Sequence, residues 1–212
     1  MKIRPARPED ASFLGWVIFT AGRSHCPRGL WDVLLGMSVE DAMAILEQLT
    51  LTEAQHTFRY DGFIIADVDG RPAAALSGYD PKVSGLHLVG PAVVEVYGKG
   101  AFEGRDRVDN PRGSAGVHEC LPDEAEGAWV IESVATVPEF RRKGLIDALL
   151  EEILDMGRQR GFKLGQVAVF IGNTAAQRAY EKCGFRIVDD KRHPDFEAEI
   201  GCPGIARMHR TL

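Results

Sequence analysis

Residues 128–171 constrain the fold more than any other part of this 212-residue chain. Residues 128–137 have the composition of a long strand. Residues 144–160 repeat apolar side chains at helical spacing and stop before Gly161, in the position that a left-handed cap prefers. Residues 166–171 are nearly all apolar, which is typical of a strand buried on both faces. A strand, a crossover helix and a second strand predict a right-handed βαβ unit with two parallel strands.

Other segments add strands and helices around this unit. Residues 63–68 and 72–77 are apolar runs on either side of Asp69-Gly70, a dipeptide that accepts the positive φ angles of a tight hairpin turn. Residues 104–126 are rich in glycine, proline and charge, so we expect a mobile loop that could act as a lid. The other expected elements are a strand from Ile3, a helix over 11–21, a helix capped by Ser38 and Asp41, a short helix over 91–97, a helix over 175–183, and strands over 185–189 and 205–210.

Composition narrows the class of protein. With 45% hydrophobic residues the chain can build one substantial core, so we expect a single domain over residues 1–212. The net charge of −6 argues against nucleic-acid binding and mildly favours cationic partners such as amines. The apolar run 13–20 is interrupted by Gly15 and lacks a cleavage pattern, which indicates neither a signal peptide nor a membrane span. The four cysteines are far apart, without a CxxC pair, so we expect a reducing, cytoplasmic location.

The stretch EFRRKGLIDALL, residues 139–150, places three cations and a glycine directly before a helix. The first amides of a helix have no partner within it, and the helix dipole adds partial positive charge at the same end. Arg141, Arg142 and Lys143 strengthen this tendency, and Gly144 allows a ligand to approach the backbone, so a phosphate or pyrophosphate is the expected ligand. The alternative is a solvated basic turn. A Walker loop is excluded because G-x-x-x-x-G-K-[ST] does not occur here.

Three blocks of sequence carry a family pattern in a fixed order. Arg141, Gly144 and Ile146 fall on [QR]-x-x-G-x-[GA], the preceding VATVPEF resembles V-x-V-x-P-x-[YF], and the later NTAAQRAYEKCGF resembles N-x-x-A-x-x-x-Y-x-x-x-G-F. Together with the opening IRPARPEDA and the closing ARMHR, they resemble the GNAT superfamily of acyl-CoA-dependent N-acyltransferases. The resemblance covers the chain except for the acceptor-side segments 23–56 and 80–127. It implies an α/β GNAT fold, with a mixed, twisted sheet of about six or seven strands and helices on both faces.

The resemblance implies how the co-substrate acetyl-CoA, or another short acyl-CoA, would bind. The molecule would lie between strands 128–137 and 166–171, which splay apart in this fold. Its pantetheine arm would pair with the first of these strands, its pyrophosphate would contact the amides of residues 142–147, and Asn173 would face the arm. No metal is implied. The implied binding residues are Val134, Ala135, Thr136, Arg141, Arg142, Lys143, Gly144, Leu145, Ile146, Asp147, Asn173 and Tyr180.

Two residues depart from the family pattern. Ile146 occupies a position where the family has a small residue, and it fits if its side chain turns inward with Leu149 and Leu150. Asp147 occupies a position where Ser, Thr or a basic residue is usual. A carboxylate within a few ångströms of pyrophosphate would cost about 1 kcal/mol in partly screened surroundings. We expect the cations of residues 141–143 to offset this cost.

Glu132 is the candidate general base. A lysine-like amine has a pKa of about 10.4, so only about one in a thousand is unprotonated at neutral pH, and a base must remove a proton before acyl transfer. Glu132 stands in an apolar strand on the same face as Val134 and Thr136, where burial would raise its pKa towards neutrality. The alternative is a structural carboxylate that pairs with an arginine or faces solvent. Amides of the same strand could polarise the thioester carbonyl.

Tyr180 is the candidate general acid, a role that its place in the family block implies. A phenol beside the leaving thiolate could supply a hydrogen bond or a proton. Thr174 with Gln177 indicates a helix start, and Gly184 indicates its end. The alternative is a tyrosine that only packs in the core.

Two other combinations of reactive residues are weaker candidates for a functional site. His118-Glu119-Cys120 lacks further ligands at metal spacing, so we expect a solvated loop and no zinc site. Nothing indicates an activating geometry for His25-Cys26, for which we expect a core or loop position.

The resemblance therefore implies an N-acetyltransferase that acts on a primary amine of a small molecule by direct attack in a ternary complex. The alternatives are acetylation of a protein N-terminus or lysine, and a non-catalytic acyl-CoA-binding regulatory module, which Ile146 and Asp147 keep open. No nucleic acid or membrane is expected as a partner. A homodimer is an expectation from the family alone.

Overall fold

A computed structural model describes all 212 residues. Strands from both ends of the chain and from its middle form one seven-stranded sheet. The strand order is β1-β2-β3-β4-β5-β7-β6. Only β4 and β5 are parallel, and every other neighbouring pair is antiparallel. The predicted mixed sheet and the parallel pair are therefore confirmed. The strands are β1 Lys2–Pro5, β2 Phe63–Val68, β3 Arg71–Tyr79, β4 Ala128–Thr136, β5 Leu164–Phe170, β6 Arg186–Arg192 and β7 Gly204–Thr211.

Nine α-helices connect and cover the strands. The crossover between the parallel strands is the predicted long amphipathic helix. None of the nine combines the length and the apolar character needed to cross a membrane. The helices are α1 Ala11–Arg23, α2 Leu30–Leu35, α3 Val39–Thr50, α4 Pro81–Ser84, α5 Val89–Gly98, α6 Pro111–Cys120, α7 Leu145–Gln159, α8 Thr174–Lys182 and α9 Pro194–Ile200.

The sheet separates two large apolar cores. On one face α7 buries Leu149, Leu150 and Ile153 against strand residues such as Leu76 and Ile131. On the other face α1, α3 and α5 pack on the alternate residues of β2 and β3. Because successive side chains of a strand point to opposite faces, the central strands must be apolar on both sides. This requirement explains the nearly continuous apolar runs in their sequence.

The β2–β3 hairpin forms as predicted. Asp69 has φ of 52° and Gly70 has φ of 78°. Two successive positive φ angles match the right-handed twist of the flanking strands, and the Asp-Gly dipeptide tolerates them. The hairpin brings the end of β3, including Tyr79, alongside β4.

The prediction of a mobile loop over residues 104–126 is wrong, because residues 111–120 form helix α6. Asn110 caps its start by accepting a hydrogen bond of 3.0 Å from the Gly113 amide. Two glycines lowered the apparent helix propensity of this segment. Gly116 is required by packing, because a Cβ there would lie 2.8 Å from the backbone nitrogen of Phe196 in α9. The His118–Cys120 sequence therefore belongs to a helix, in which Cys120 is buried.

Helix α9 was not predicted. His193 caps it by accepting from the Asp195 amide at 3.2 Å, and Pro194 occupies the first turn. Phe196 and Ile200 bury its inner face in a third apolar cluster that α2 and α6 share. Short helices such as this one gain most of their stability from packing, so local sequence is a weak guide to them.

Candidate active site

A gap opens where the two parallel strands part. Pairing of β4 with β5 runs only from Ala128–Leu164 to Ile131–Val167. Beyond that point β4 stays paired with β3 alone, and β5 with β7 alone. The predicted splaying of the strands is confirmed. The backbone edges that face this gap are available to an extended ligand.

A β-bulge in β4 lies at the edge of the gap. Ser77 pairs with Glu132 and Ala75 pairs with Ala135, so two residues of β4 oppose one residue of β3. Ser133 takes a left-handed φ of 53°, which is unusual for a residue with a side chain. Bulges bend a strand and redirect its side chains. The local sequence does not predict this bulge. The bulge sets the direction in which the Glu132 side chain points.

The start of α7 combines unpaired backbone amides with basic side chains. The backbone N–H groups of residues 142–147 donate to no acceptor in the protein. Arg142 and Gly144 have positive φ angles of 60° and 76°, which turn the chain sharply into the helix. A Cβ on Gly144 would meet nothing within 4 Å, so space above the amides is open. Arg141 and Lys143 are exposed at the same turn.

Glu132 is half-buried, and burial raises the pKa of its carboxyl to about 7. A hydrogen bond from Thr57 lowers this pKa, and the negative charge of Glu124 raises it. The Thr57 hydroxyl donates to Glu132 Oε2 at 3.2 Å. No arginine or lysine forms an ion pair with the carboxylate, so the arginine pair that was one form of the structural alternative is not present. A group with this pKa can accept a proton near neutral pH.

Tyr180 lies on α8, buried against the same core as α7. Its ring contacts Phe185 edge-on, with 6.3 Å between the ring centroids. The hydroxyl makes no hydrogen bond to the protein, and burial raises its pKa well above the ordinary value. The phenol therefore stays protonated and has a donor to offer. Val134, at the edge of the gap, packs against this core.

A scan of family models matches residues 37–185 to the Acetyltransferase (GNAT) family. This chain belongs to the GNAT acetyltransferase family. It is an acyl-CoA-dependent N-acetyltransferase. No curated protein sequence matches the chain.

Solved structures share this fold over their whole length. A crystal structure described as an acetyltransferase covers 100% of this chain and 100% of its own, with a TM-score of 0.70 and 16% identity. An N-acetyltransferase from Staphylococcus aureus Mu50 covers 99% of this chain and 100% of its own, with a TM-score of 0.65 and 17% identity. The ribosomal-protein-S18-alanine N-acetyltransferase from Escherichia coli covers 100% of this chain and 93% of its own, with a TM-score of 0.53 and 17% identity. At these identities the likeness supports the fold alone.

The two residues that depart from the GNAT pattern, Ile146 and Asp147, each have a partner in the structure. The Ile146 side chain packs against the α7 core, as predicted, and is partly buried there. Asp147 forms an ion pair with Lys182 at the end of α8. No side chain of residues 141–143 forms an ion pair with Asp147, and their offset of its charge at a bound pyrophosphate stays a prediction. Arg141 instead reaches the Thr136 carbonyl at 3.4 Å, and Lys143 stacks over the Phe140 ring at 4.8 Å.

Besides Tyr180, two predicted binding residues have buried side chains. Leu145 packs in the α7 core, and Ala135 packs in the core on the α1 face of the sheet. They can contribute only backbone atoms to a ligand. Val134 and Thr136 remain partly exposed beside the gap.

Asn173 of this acetyltransferase caps α8. Its side-chain oxygen accepts from the Ala176 amide at 3.1 Å, so the cap lies one residue before the predicted Thr174. Its amide group donates to Ser24 Oγ at 2.8 Å and links the start of α8 to the end of α1. The nearby Cys26 lies 3.9 Å from both ring nitrogens of His25.

The sequence did not predict three residues near Glu132, which are Thr57, Tyr79 and Glu124. Tyr79, at the end of β3, donates to Glu124 Oε1 at 2.9 Å. Thr57 contacts Glu132 from the segment that precedes β2. These residues lie far apart along the chain, so no local pattern could have grouped them with Glu132.

Proposed function

We propose that this protein transfers an acetyl group from acetyl-CoA to a primary amine of a small molecule by direct attack in a ternary complex. The observation that carries the proposal is Glu132, whose carboxyl has a pKa of about 7 at the point where β4 and β5 part. A base of this strength can take a proton from an ammonium group at neutral pH and return it to solvent.

The residues of the chain fit acetyl-CoA, which supplies the thioester when bound. The free amides of residues 142–147 suit a pyrophosphate, and Arg141, Arg142 and Lys143 add charge. The open edges of β4 and β5 suit the amide groups of the pantetheine arm. We propose the backbone of Val134, Ala135 and Thr136 for the arm, Leu145, Ile146 and Asp147 with Gly144 for the diphosphate, and Asn173 and Tyr180 for the far side of the gap.

We propose distinct roles for two side chains. Glu132 accepts the proton that the attacking amine must lose as its nitrogen bonds to the acyl carbon. Tyr180 gives a proton or hydrogen bond to the sulfur as the carbon–sulfur bond breaks. Amides of the β4 bulge stabilise the negative charge that develops on the carbonyl oxygen. Solvent reprotonates Tyr180 and removes the proton from Glu132 after turnover.

The surroundings of Glu132 support a small acceptor. The Thr57 hydroxyl contacts the carboxylate, and the nearby Glu124 is held in place by the Leu86 amide. A small amine fits an enclosed site, and a peptide needs an open groove. We propose that residues 1–212 act as one domain in which segments 23–56 and 80–127 shape the acceptor side. The four free cysteines support the predicted cytoplasmic location. The homodimer stays a prediction.

Release of free thiol from acetyl-CoA tests the proposal directly. The purified protein is assayed with small primary amines and with peptides that carry a free N-terminus or lysine. Turnover with small amines supports the proposal, and turnover only with peptides favours the protein-acetylating alternative, for which E. coli S18-alanine acetyltransferase is a structural precedent. Binding of acetyl-CoA without turnover across the panel would indicate the non-catalytic module. Glu132→Gln should lower kcat/KM at least about a hundredfold, and Tyr180→Phe should lower kcat about tenfold or more.

A further inference from the structure

Two carboxylates and a phenol meet on the acceptor side of β4. Glu132 extends from β4, Tyr79 from the end of β3, and Glu124 from the segment between α6 and β4. Tyr79 donates to Glu124 Oε1 at 2.9 Å. The Leu86 amide donates to the same Oε1 at 3.0 Å. Glu124 is therefore anchored by two donors, and its other oxygen lies 4.0 Å from His87 Nδ1.

The phenol of Tyr79 has one proton to donate. Ser77 pairs with Glu132, and Tyr79 follows two residues later on β3, so the side chains of Tyr79 and Glu132 lie on the same face of the sheet. In the structure its proton is directed to Glu124, and Glu132 keeps the longer 3.2 Å hydrogen bond from Thr57 as its donor. Buried Tyr79 itself has a pKa raised well above its ordinary value by burial and by the charges of Glu132 and Glu124, so it remains a donor.

We propose that Glu124 and Tyr79 are positioning residues that keep Glu132 able to accept a proton. Glu124 holds the Tyr79 hydroxyl away from Glu132, and its charge disfavours a second anion beside it. This inference rests on the proposed function, because it assumes that Glu132 is the base. It gives the 80–127 segment a role beyond shaping the acceptor site, because Glu124 belongs to that segment.

Few other charged groups lie close enough to Glu132 to change the pKa of its carboxyl. Ser77, directly opposite on β3, donates to the Glu132 carbonyl at 3.2 Å and is uncharged. Helix α1 packs against β4, and its only titratable residue, Arg23, pairs with Asp32. His87 faces Glu124 from the far side. The pKa of Glu132 is thus set by burial, by the hydrogen bond from Thr57 and by the charge of Glu124.

Glu124→Gln isolates the charge of Glu124. Both hydrogen bonds to Glu124 end on Oε1, so the amide oxygen of glutamine can accept them while the charge is lost. Loss of a nearby negative charge should lower the pKa of Glu132, and the acid limb of the kcat/KM profile should move down by about one pH unit. Glu126→Gln removes the same charge from an exposed residue two positions away, and it should leave the limb in place.

Tyr79→Phe removes only the phenol hydroxyl. That hydroxyl donates to Glu124 and not to Glu132, so the acid limb should stay in place. A shift from Glu124→Gln without one from Tyr79→Phe would not arise from a general loss of packing around these two touching residues. The carboxyl signal of Glu132, identified in ¹³C-glutamate spectra by its absence in Glu132→Gln, gives the same pKa without turnover. It also gives a result for a variant that is inactive.

The outcomes separate the inference from the proposed function. If Glu132→Gln keeps full activity, the base assignment fails and the proposed function with it. If that variant is inactive, but Glu124→Gln shifts neither the acid limb nor the Glu132 signal beyond the Glu126→Gln control, only the positioning role is overturned. If Tyr79→Phe does not fold, the Glu124→Gln comparison decides alone.

Discussion

Lys182, in the last turn of α8, forms an ion pair with Asp147 in the first turn of α7. The pair joins the two helices that flank the gap between β4 and β5. It places a positive charge against the one carboxylate that stands among the free amides of α7. The unfavourable charge at this position is therefore compensated from a distant part of the chain.

Removal of Lys182 should weaken acetyl-CoA binding. Both partners are exposed to solvent, so the effect is modest, about two- to fivefold in KM. Lys182→Ala should raise the KM for acetyl-CoA, and Asp147→Ser should lower it, with both effects fading at high salt. Glu152→Gln, an exposed change on the same helix, is the control. Equal KM values for the two variants would contradict an effect through charge.

Gly144 and Gly161 form a matched pair for testing the anion site. They lie at opposite ends of α7, have φ angles of 76° and 89°, and have open space where a Cβ would stand. Alanine at either position should cost about 1 kcal/mol of unfolding free energy because of the left-handed backbone. Only Gly144→Ala should also weaken acetyl-CoA binding, by about tenfold, because its methyl group would obstruct a phosphate. Calorimetric titration and chemical denaturation check both parts, and equal binding by the two variants would argue against a diphosphate at α7.

Glu132→Gln should lose activity and gain stability above neutral pH. The folded-state pKa of about 7 exceeds the ordinary value of 4.5, so the contribution of Glu132 to stability is fully present below pH 4.5 and is lost as pH rises through 7. At pH 8 the charged carboxylate should cost about 1–3 kcal/mol, which glutamine avoids. Denaturation at pH 5 and pH 8 checks the sign of the stability difference between the variant and the wild type. A variant less stable than the wild type at pH 8 would contradict a burial-raised pKa.

The parts of this fold that sequence predicted have local signals. The βαβ unit combines an amphipathic helix, two apolar strands and a terminal glycine, each recognisable within a few residues. The inward turn of Ile146 followed from the periodicity of the α7 core. Helix α6 was missed because its two glycines weaken a helix signal, although packing requires both: a Cβ on Gly116 would meet α9, and a Cβ on Gly113 would meet Asn110 and Val33 of α2.

The candidate site was only half predictable. Glu132 and Tyr180 stood out because a family pattern and an apolar strand marked their positions. Thr57 lies 75 residues from Glu132, and Tyr79 lies 45 residues from Glu124. Contacts between residues so far apart in sequence depend on the strand order and on the bulge at Ser133. A short stretch of sequence predicts neither of these features.

His56 anchors the segment that carries Thr57 to Glu132. Its Nδ1 accepts from the Phe58 amide at 3.2 Å, so Nε2 carries the proton and donates to Thr52 Oγ1 at 2.7 Å. Thr52 in turn donates to the Leu49 carbonyl at 2.9 Å. The side chain is buried, and burial lowers its pKa from 6.5 to about 4. The folded protein therefore holds His56 neutral, and a second proton would displace the Phe58 hydrogen bond.

This histidine should make the protein less stable in mild acid. Between pH 6.5 and pH 4 the unfolded chain binds a proton at His56 that the folded chain does not, so stability falls as pH falls through this window, by up to about 3 kcal/mol. His56→Gln should be less stable at pH 7, because a buried network is broken, yet its stability should depend less on pH over this range. His118→Gln changes an exposed histidine and should keep the wild-type slope. Denaturation curves at half-unit pH steps measure the slopes, and identical slopes for His56→Gln and the wild type would mean that His56 is not held neutral by burial.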